Sequence, residues 1–215
     1  MLGVLDELGI DRADIVGHGW GAWLALRLAL DHPDRVDRVV ALSMVHPWPM
    51  QRHLIPSVWR WWVTALFEVP GVGEWMLRTR PRVTRWLLAR DSAAPTVWTD
   101  ELLDSYASVA AQPPRAAAGR RLHTQLVLRD IPRLLLARDR HRVLTSPVLI
   151  VVGDSDALLP ATVMTVPASR RNSLTVRVIE GGHFLVDTNP LVVLDAITGH
   201  LTRAHRAPYS GTTTP

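Results

Sequence analysis

The apolar residues near the start of the chain fall into groups that predict a strand-helix-strand unit. Leucine occupies every third position across 2–8, as on one face of a short helix, and Gly9 is a suitable residue to end it. The apolar run 13–17 is short enough for a strand. The apolar run 22–33 is too long for a strand and predicts a buried helix, and a second strand follows at 38–43. The pattern predicts two parallel strands joined by a helix.

Prolines and tryptophans become frequent after this unit and divide the chain into short helical patterns. Seven of the nine tryptophans fall between Trp48 and Trp98, so this part differs in character from what precedes it. The predicted helices span 57–68, 73–80, 82–90, 99–111, 115–129 and 131–138. We interpret 45–143 as a helical insertion. Its Trp-rich stretch 58–69 favours packing over a pocket, with binding to a membrane surface as the alternative.

Strand and helix patterns resume after the insertion. The segment 146–156 contains an unbroken apolar run, which is typical of a strand buried on both faces. A further strand is predicted at 174–183 and a final helix at 188–204, with Asn189 as its N-cap and Pro190 at its first position. The predicted inward face of that helix consists of Leu191, Leu194, Ile197 and Leu201.

Composition excludes several classes of function. The chain has no cysteine, which rules out disulfides, thiolate metal sites and a cysteine nucleophile. The formal net charge is +4, but the arginines are scattered rather than arranged in a basic stripe with aromatic residues, so we expect no nucleic-acid partner. No signal-peptide pattern and no long uncharged apolar window occurs. We therefore expect a cytoplasmic protein without stable membrane insertion.

Three glycine-containing segments follow predicted strands and carry the candidate chemistry. They are Gly17–Gly21 (GHGWG), Gly153–Asp156 (GDSD) and Gly181–Phe184 (GGHF). Because reactive groups of open parallel sheets gather at the carboxyl ends of the strands, we expect these segments to lie together.

The order of these segments resembles the α/β-hydrolase fold, in which a nucleophile, an acid and a histidine follow one another along the chain. Trp20 gives the first segment a likeness to the GHDWG elbow of epoxide hydrolases and haloalkane dehalogenases. The resemblance implies an α/β fold with a parallel sheet, of which the last four strands are present, and a helical cap inserted after the sixth family strand. The implied divisions are core 1–44, cap 45–143, core 144–205 and a disordered tail 206–215.

The resemblance also implies roles for individual residues. His183 would be the general base that activates water, and Asp156 would orient its ring and stabilise the imidazolium. Asp154 is the weaker candidate for that acid, because it lies closer to the strand. Further residues expected at the oxyanion site or in the pocket are Trp20, through its backbone N–H, together with His18, His46 and Phe184. The resemblance implies no cofactor and no metal.

The central residue of the elbow departs from the family pattern. Gly19 stands where epoxide hydrolases carry aspartate and ester hydrolases of this fold more often carry serine. Glycine adopts the strained backbone of such a turn freely, but it supplies no carboxylate or hydroxyl for a covalent intermediate. In the insertion, His123 stands where the family pattern would place a cap tyrosine. We therefore expect weak activity or none.

The start of the chain is a second departure. Strands that normally precede the helix at 2–8 are missing, and with them the HGxP-like loop that supplies the other oxyanion N–H. Either Met1 is not the native start, or the chain is naturally truncated, or a partner covers the edge of strand 13–17. An open apolar edge of this kind also predicts self-association.

Three functional hypotheses remain open from the sequence. The first is a capped hydrolase with its nucleophile replaced. The second is a module that binds a small apolar molecule without converting it. The third is a nucleophile-free enzyme in which the His183–Asp156 pair acts alone as a base, as in cofactor-independent oxygenases of this fold.

Overall fold

The sheet consists of four parallel strands in the order β1-β2-β3-β4. The computed structural model describes residues 1–61, 72–90 and 94–202. The strands are β1 (Ala13–His18), β2 (Val36–Leu42), β3 (Val148–Gly153) and β4 (Leu174–Ile179). The α/β fold class with a parallel sheet of four strands is therefore confirmed.

Burial along the strands follows their position in the sheet. All six residues of β3 are buried, because this strand has a neighbour on each side and side chains packed on both faces. Strand β1 pairs only with β2 among the described residues, and its Val16 remains 43% exposed. The apolar run within 146–156 thus indicated an interior strand correctly.

Two hydrophobic clusters cover the two faces of the sheet. On one face, α2 (Trp20–Asp31) packs against β1 and β2 through residues such as Ala25 and Leu26, and Leu2 and Leu5 of α1 (Leu2–Glu7) pack onto the same cluster. On the other face, Val40 of β2 belongs to a cluster with the C-terminal helices. These are α9 (Leu185–Thr188) and α10 (Pro190–Thr202).

Helices fill the interval between β2 and β3. Those in the described residues are α3 (Gln51–Leu54), α4 (Val72–Thr79), α5 (Pro81–Arg90), α6 (Asp100–Ala110), α7 (Pro113–Gln125) and α8 (Ile131–Leu135), with 3₁₀ turns at Ile55–Trp61 and Pro95–Val97 and a π-helical turn at Leu126–Asp130. Helical structure begins at Gln51, earlier than the predicted helix 57–68. Of that predicted helix only 57–61 are described, and they belong to the 3₁₀ turn, whereas 62–68 lie outside the described residues. Part of the Trp-rich stretch lies outside the described residues. The division into core and cap remains a prediction.

The inward face of the last helix agrees only in part with the prediction. Ile197 and Leu201 pack against the buried cluster as predicted, but Leu191 and Leu194 do not. Leu191 is 79% exposed and Leu194 is 55% exposed, whereas Val193 and Ala196 are buried. Because apolar residues occupy most positions in the first two turns, the sequence is compatible with several rotations of the helix about its axis. Packing against β2 and β3 selects the rotation. The tail 206–215 lies outside the described residues.

Across the part of the chain described above, no helix is long and apolar enough to cross a bilayer.

Candidate active site

The three glycine-containing segments meet at the carboxyl ends of β1, β3 and β4. His18, Gly19, Trp20, His183 and Phe184 all line one cavity there. The parallel topology brings them together, because strands that run in the same direction end at the same edge of the sheet.

The elbow between β1 and α2 depends on glycine at two positions for different reasons. Gly19, which precedes α2, has φ 53° and ψ −116°, a conformation that other residues adopt only with strain. At Gly17 a Cβ atom would lie 2.6 Å from the backbone nitrogen of Ala22, so a side chain there would push the helix away from the strand. A Cβ atom on Gly21 would meet no such obstacle within 4 Å, so glycine is not required there.

His183 and Asp156 form a hydrogen-bonded pair. The Nδ1 atom of His183 lies 2.9 Å from Oδ2 of Asp156, whose side chain is fully buried. The other carboxylate oxygen accepts hydrogen bonds from the backbone N–H groups of Leu158 and Leu159, each at 2.8 Å. With Nδ1–H donated to the carboxylate, Nε2 is the basic nitrogen of the neutral ring.

The Nε2 atom of His183 faces the elbow. A Cβ atom built on Gly19 would lie 4.0 Å from it, so a short side chain at this position would bring its functional group to the histidine. The arrangement therefore contains an acid-base pair directed at a position that carries no side chain.

The structure separates the two acidic candidates. The carboxylate of Asp154 accepts a hydrogen bond from the backbone N–H of Gly181 at 3.2 Å, and this side chain is turned to the loop that precedes His183. Asp156 is the carboxylate that reaches the imidazole ring. The hydrogen bond thus favours Asp156 as the acid that orients His183. This agrees with the sequence analysis, in which Asp154 is the weaker candidate because it lies closer to the strand.

His18 and Ser43 hold the backbone of His183 in place. The Nε2 atom of His18 donates to the carbonyl oxygen of His183 at 2.8 Å, and the hydroxyl of Ser43 donates to the same oxygen at 2.6 Å. Burial lowers the pKa of His18 and outweighs the hydrogen bond to His183, which raises it. His18 is therefore neutral at pH 7, with its proton on Nε2.

Ser43 is a site residue that sequence reasoning underestimated. It follows β2 directly, is fully buried, lines the cavity and has a positive φ of 49°. It was not among the candidate site residues predicted from the sequence. The signal that could have found it is its position, since it follows the strand that lies between β1 and β3.

His46 does not belong to the cavity, and its assignment to the pocket was wrong. The ring is fully buried, its Nε2 donates to the carbonyl of Thr165 at 3.2 Å, and its Nδ1 accepts from the backbone N–H of Trp48. Burial lowers the pKa of His46 to about 4, although the hydrogen bond to Thr165 raises it. His46 instead joins the segment after β2 to the segment around Thr165.

The cavity has a volume of about 330 Å³ and a largely apolar wall. Its apolar lining includes Met44, Trp61, Leu87, Leu126, Leu134, Leu158, Leu159 and Phe184, and its polar lining includes Arg60, Arg90 and His123. The indole N–H of Trp61 donates to the carbonyl of Leu158 at 3.0 Å, which fixes one wall. This combination suits a small, mainly apolar molecule.

His123 lines the cavity next to Trp20 of the elbow. Its ring packs edge-on against Trp20 with the ring centroids 5.2 Å apart, and its Nδ1 lies 2.8 Å from the carbonyl oxygen of Gly119.

Tyr106 is not part of the lining. Its hydroxyl donates to Asp187 at 2.8 Å, and burial together with this bond raises the pKa of Tyr106 to about 12.

Within the described ranges, no three histidine, aspartate or glutamate side chains lie close enough to hold a metal ion.

Comparison with known proteins places the chain in a family. The model of the alpha/beta hydrolase fold family matches residues 1–190. Epoxide hydrolase 4 of Mus musculus is 24% identical over 201 residues, which cover 88% of this chain and 54% of that protein. The chain thus spans about half the length of this relative. The 2-hydroxymuconate semialdehyde hydrolase of Pseudomonas putida is 54% identical over 44 residues, which cover 20% of this chain and 16% of that protein.

A solved structure agrees with the fold. Epoxide Hydrolase A from Mycobacterium thermoresistibile superimposes with a TM-score of 0.69 and 22% sequence identity, covering 93% of this chain and 72% of its own. The parallel sheet, the matched residues 1–190 and this similarity lead to one conclusion. The chain belongs to the α/β-hydrolase fold family and resembles its epoxide hydrolases.

Proposed function

We propose that this chain is a hydrolase-family protein whose site retains the base but lacks the covalent nucleophile, so that hydrolysis of epoxides and activated esters is weak or absent. One observation carries the proposal. The Nε2 atom of His183 is directed at the backbone of Gly19, and a Cβ atom there would lie only 4.0 Å away.

The covalent route needs an oxygen nucleophile at position 19. Glycine supplies none, and removing the nucleophile from such a unit costs several orders of magnitude in rate. Ser43 is not a substitute, because its hydroxyl is already donated to the carbonyl oxygen of His183. His183 can still accept a proton from water in the cavity, but no ester intermediate can form.

Restoring the nucleophile tests the proposal directly. The substrate is styrene oxide, which is neutral and small, and diol formation is measured for the unmodified chain and for Gly19→Asp. We expect the unmodified chain to match His183→Ala and Gly19→Asp to exceed both. Gly19→Asn is the matched control, since it has the same size and a similar tolerance of positive φ but no nucleophilic carboxylate. Clear His183-dependent hydrolysis by the unmodified chain would contradict the proposal.

Binding without conversion is the second candidate function, and the apolar wall of the cavity favours it. In that case styrene oxide or a similar molecule would bind both to the unmodified chain and to Gly19→Asp, with no turnover in either. A product that appears only when oxygen is present would instead favour a His183–Asp156 base enzyme.

A further inference from the structure

Among the described residues that line the cavity, the acidic and basic side chains are of one sign. Arg60 and Arg90 belong to its lining, whereas no aspartate or glutamate is found among the described residues that line it. Asp156 lies behind His183, with both carboxylate oxygens engaged. A cavity with cationic groups and no facing carboxylate is electrostatically suited to an anion.

Arg60 is held at the cavity by a hydrogen bond to another residue of its lining. Its Nη1 donates to the carbonyl oxygen of Ala157 at 2.9 Å, next to the catalytic candidate Asp156. The guanidinium carbon also lies 5.3 Å from the centre of the Trp59 ring. Since a guanidinium has five N–H donors, one bond to a carbonyl leaves donors for a ligand. Arg60 forms no ion pair with a carboxylate of the described residues.

Arg90 approaches the cavity from a different element. It is the last residue of α5, and Leu87 on the same helix also lines the cavity. Its guanidinium carbon lies 5.0 Å from the centre of the Trp86 ring. Arg90 is exposed, and among the described residues it forms no ion pair with a carboxylate.

The N-terminus of α2 adds to the positive electrostatic potential in the cavity. Trp20 is the first residue of this twelve-residue helix and Gly19 is its N-cap, both line the cavity, and the positive end of a helix dipole lies at the N-terminus. The remaining wall, which includes Trp61, Leu126 and Leu158, is apolar.

We propose that this cavity binds an apolar molecule that carries a carboxylate, with Arg60 and Arg90 as the partners of the carboxylate. The inference rests on the proposed function, because it takes the cavity beside His183 as the ligand site. It adds the class of ligand: a hydrocarbon or aromatic body contacts the apolar wall, and one negative charge meets the two arginines.

A matched pair of ligands tests the inference. The probes are 4-phenylbutanoate and its neutral amide, and binding is measured by calorimetry and by the change in tryptophan fluorescence. We expect the carboxylate to bind about tenfold more tightly than the amide, as for a charge-assisted hydrogen bond. We expect that preference to weaken at high salt. Arg60→Gln or Arg90→Gln should remove most of the preference, and Arg60→Lys should retain part of it.

Arg80→Gln is the control variant. Arg80 also stacks on a tryptophan, 5.0 Å from the centre of the Trp75 ring, but it does not line the cavity. Equal binding of acid and amide, no binding of either, or an equal loss in Arg80→Gln would overturn the inference. The test of the proposed function uses a neutral epoxide and position 19, so either idea can fail while the other stands.

Discussion

Glycine at position 19 determines both the shape of the elbow and the chemistry available in it. The φ of 53° is open to glycine, whereas another residue held there costs about 1–3 kcal/mol. The same absence of a side chain means that the elbow presents no nucleophile to the Nε2 atom of His183. Glycine in place of a nucleophile at position 19 is therefore compatible with the fold, because glycine adopts this backbone conformation without the strain that a nucleophilic residue would carry.

A second residue, His46, makes the free energy of unfolding depend on pH. Its pKa is lowered from 6.5 to about 4 by burial, so the folded protein binds this proton only near pH 4 while the unfolded chain binds it near pH 6.5. The free energy of unfolding should therefore fall as the pH falls from 6.5 to 4, by up to ~3 kcal/mol. The lowered pKa of His18 acts in the same direction. Urea unfolding at pH 7 and at pH 4.5 measures the effect.

Two variants separate His46 from general acid effects. His46→Gln keeps a donor for the carbonyl of Thr165 but does not titrate, so its loss of stability between pH 7 and pH 4.5 should be smaller. His32→Gln changes an exposed histidine and should leave the pH dependence as it is. An undiminished pH dependence in His46→Gln would refute the assignment.

At the scale of elements, the loops after β3 and β4 interlock. The backbone N–H of Asp154 donates to the carbonyl of Ile179 at 2.9 Å, and that of Ser155 donates to Gly181 at 3.1 Å. A Cβ atom on Gly153 would collide with the carbonyl oxygens of Gly181 and Gly182. This close approach is what places Asp156 beside His183.

Substitution of Gly153 should therefore damage both stability and the site. For Gly153→Ala we expect the free energy of unfolding to fall by about 2 kcal/mol or more, because backbone rather than a side chain must move. We also expect the NMR signal of the His183 Nδ1 proton to shift or disappear. The measurements are urea unfolding and proton NMR.

Gly199→Ala is the control for this prediction. Gly199 lies in α10 with no atom within 4 Å of an added Cβ, so alanine should be neutral or stabilising by up to about 1 kcal/mol. Similar losses in the two variants would show that close approach at Gly153 is not the cause.

At the scale of the whole molecule, β1 is an edge strand of the described sheet. Its Val16 is 43% exposed, and Val4, Leu8 and Ile10 near the start of the chain are exposed as well. Unpaired strand edges with apolar side chains favour pairing with another chain. We expect the isolated chain to self-associate in a concentration-dependent manner.

Sedimentation velocity over a range of concentrations measures this association. Val16→Lys should reduce it, because a charge on an edge strand opposes pairing. Val178→Lys is the matched control on β4 at the other side of the sheet, where Val178 is 48% exposed. Association that persists in Val16→Lys but not in Val178→Lys would identify β4 instead.

Local patterns predicted the strands and the glycine turns well, because these depend on short apolar runs and on backbone shapes that only glycine adopts easily. Asp156 and His183 could be proposed because the resemblance assigns each to the end of a strand. The position of Ser43 after a strand could be read from the chain, but its hydrogen bond to His183 and the exclusion of His46 could not, since both depend on where distant loops pack. The inward face of α10 was predicted only in part for a related reason, because its apolar residues cover more than one face.

The sequence by itself determined the α/β pattern, the elbow built around Gly17 and Gly19, and the absence of an oxygen nucleophile at position 19. These are properties of residue type and of neighbouring residues. Only the tertiary structure decided that Asp156 rather than Asp154 reaches His183, that Ser43 and His18 hold its carbonyl, and that the cavity has two arginines and no described carboxylate in its lining. Such relations join residues far apart in the chain, and it is the packing of the sheet that sets their distances.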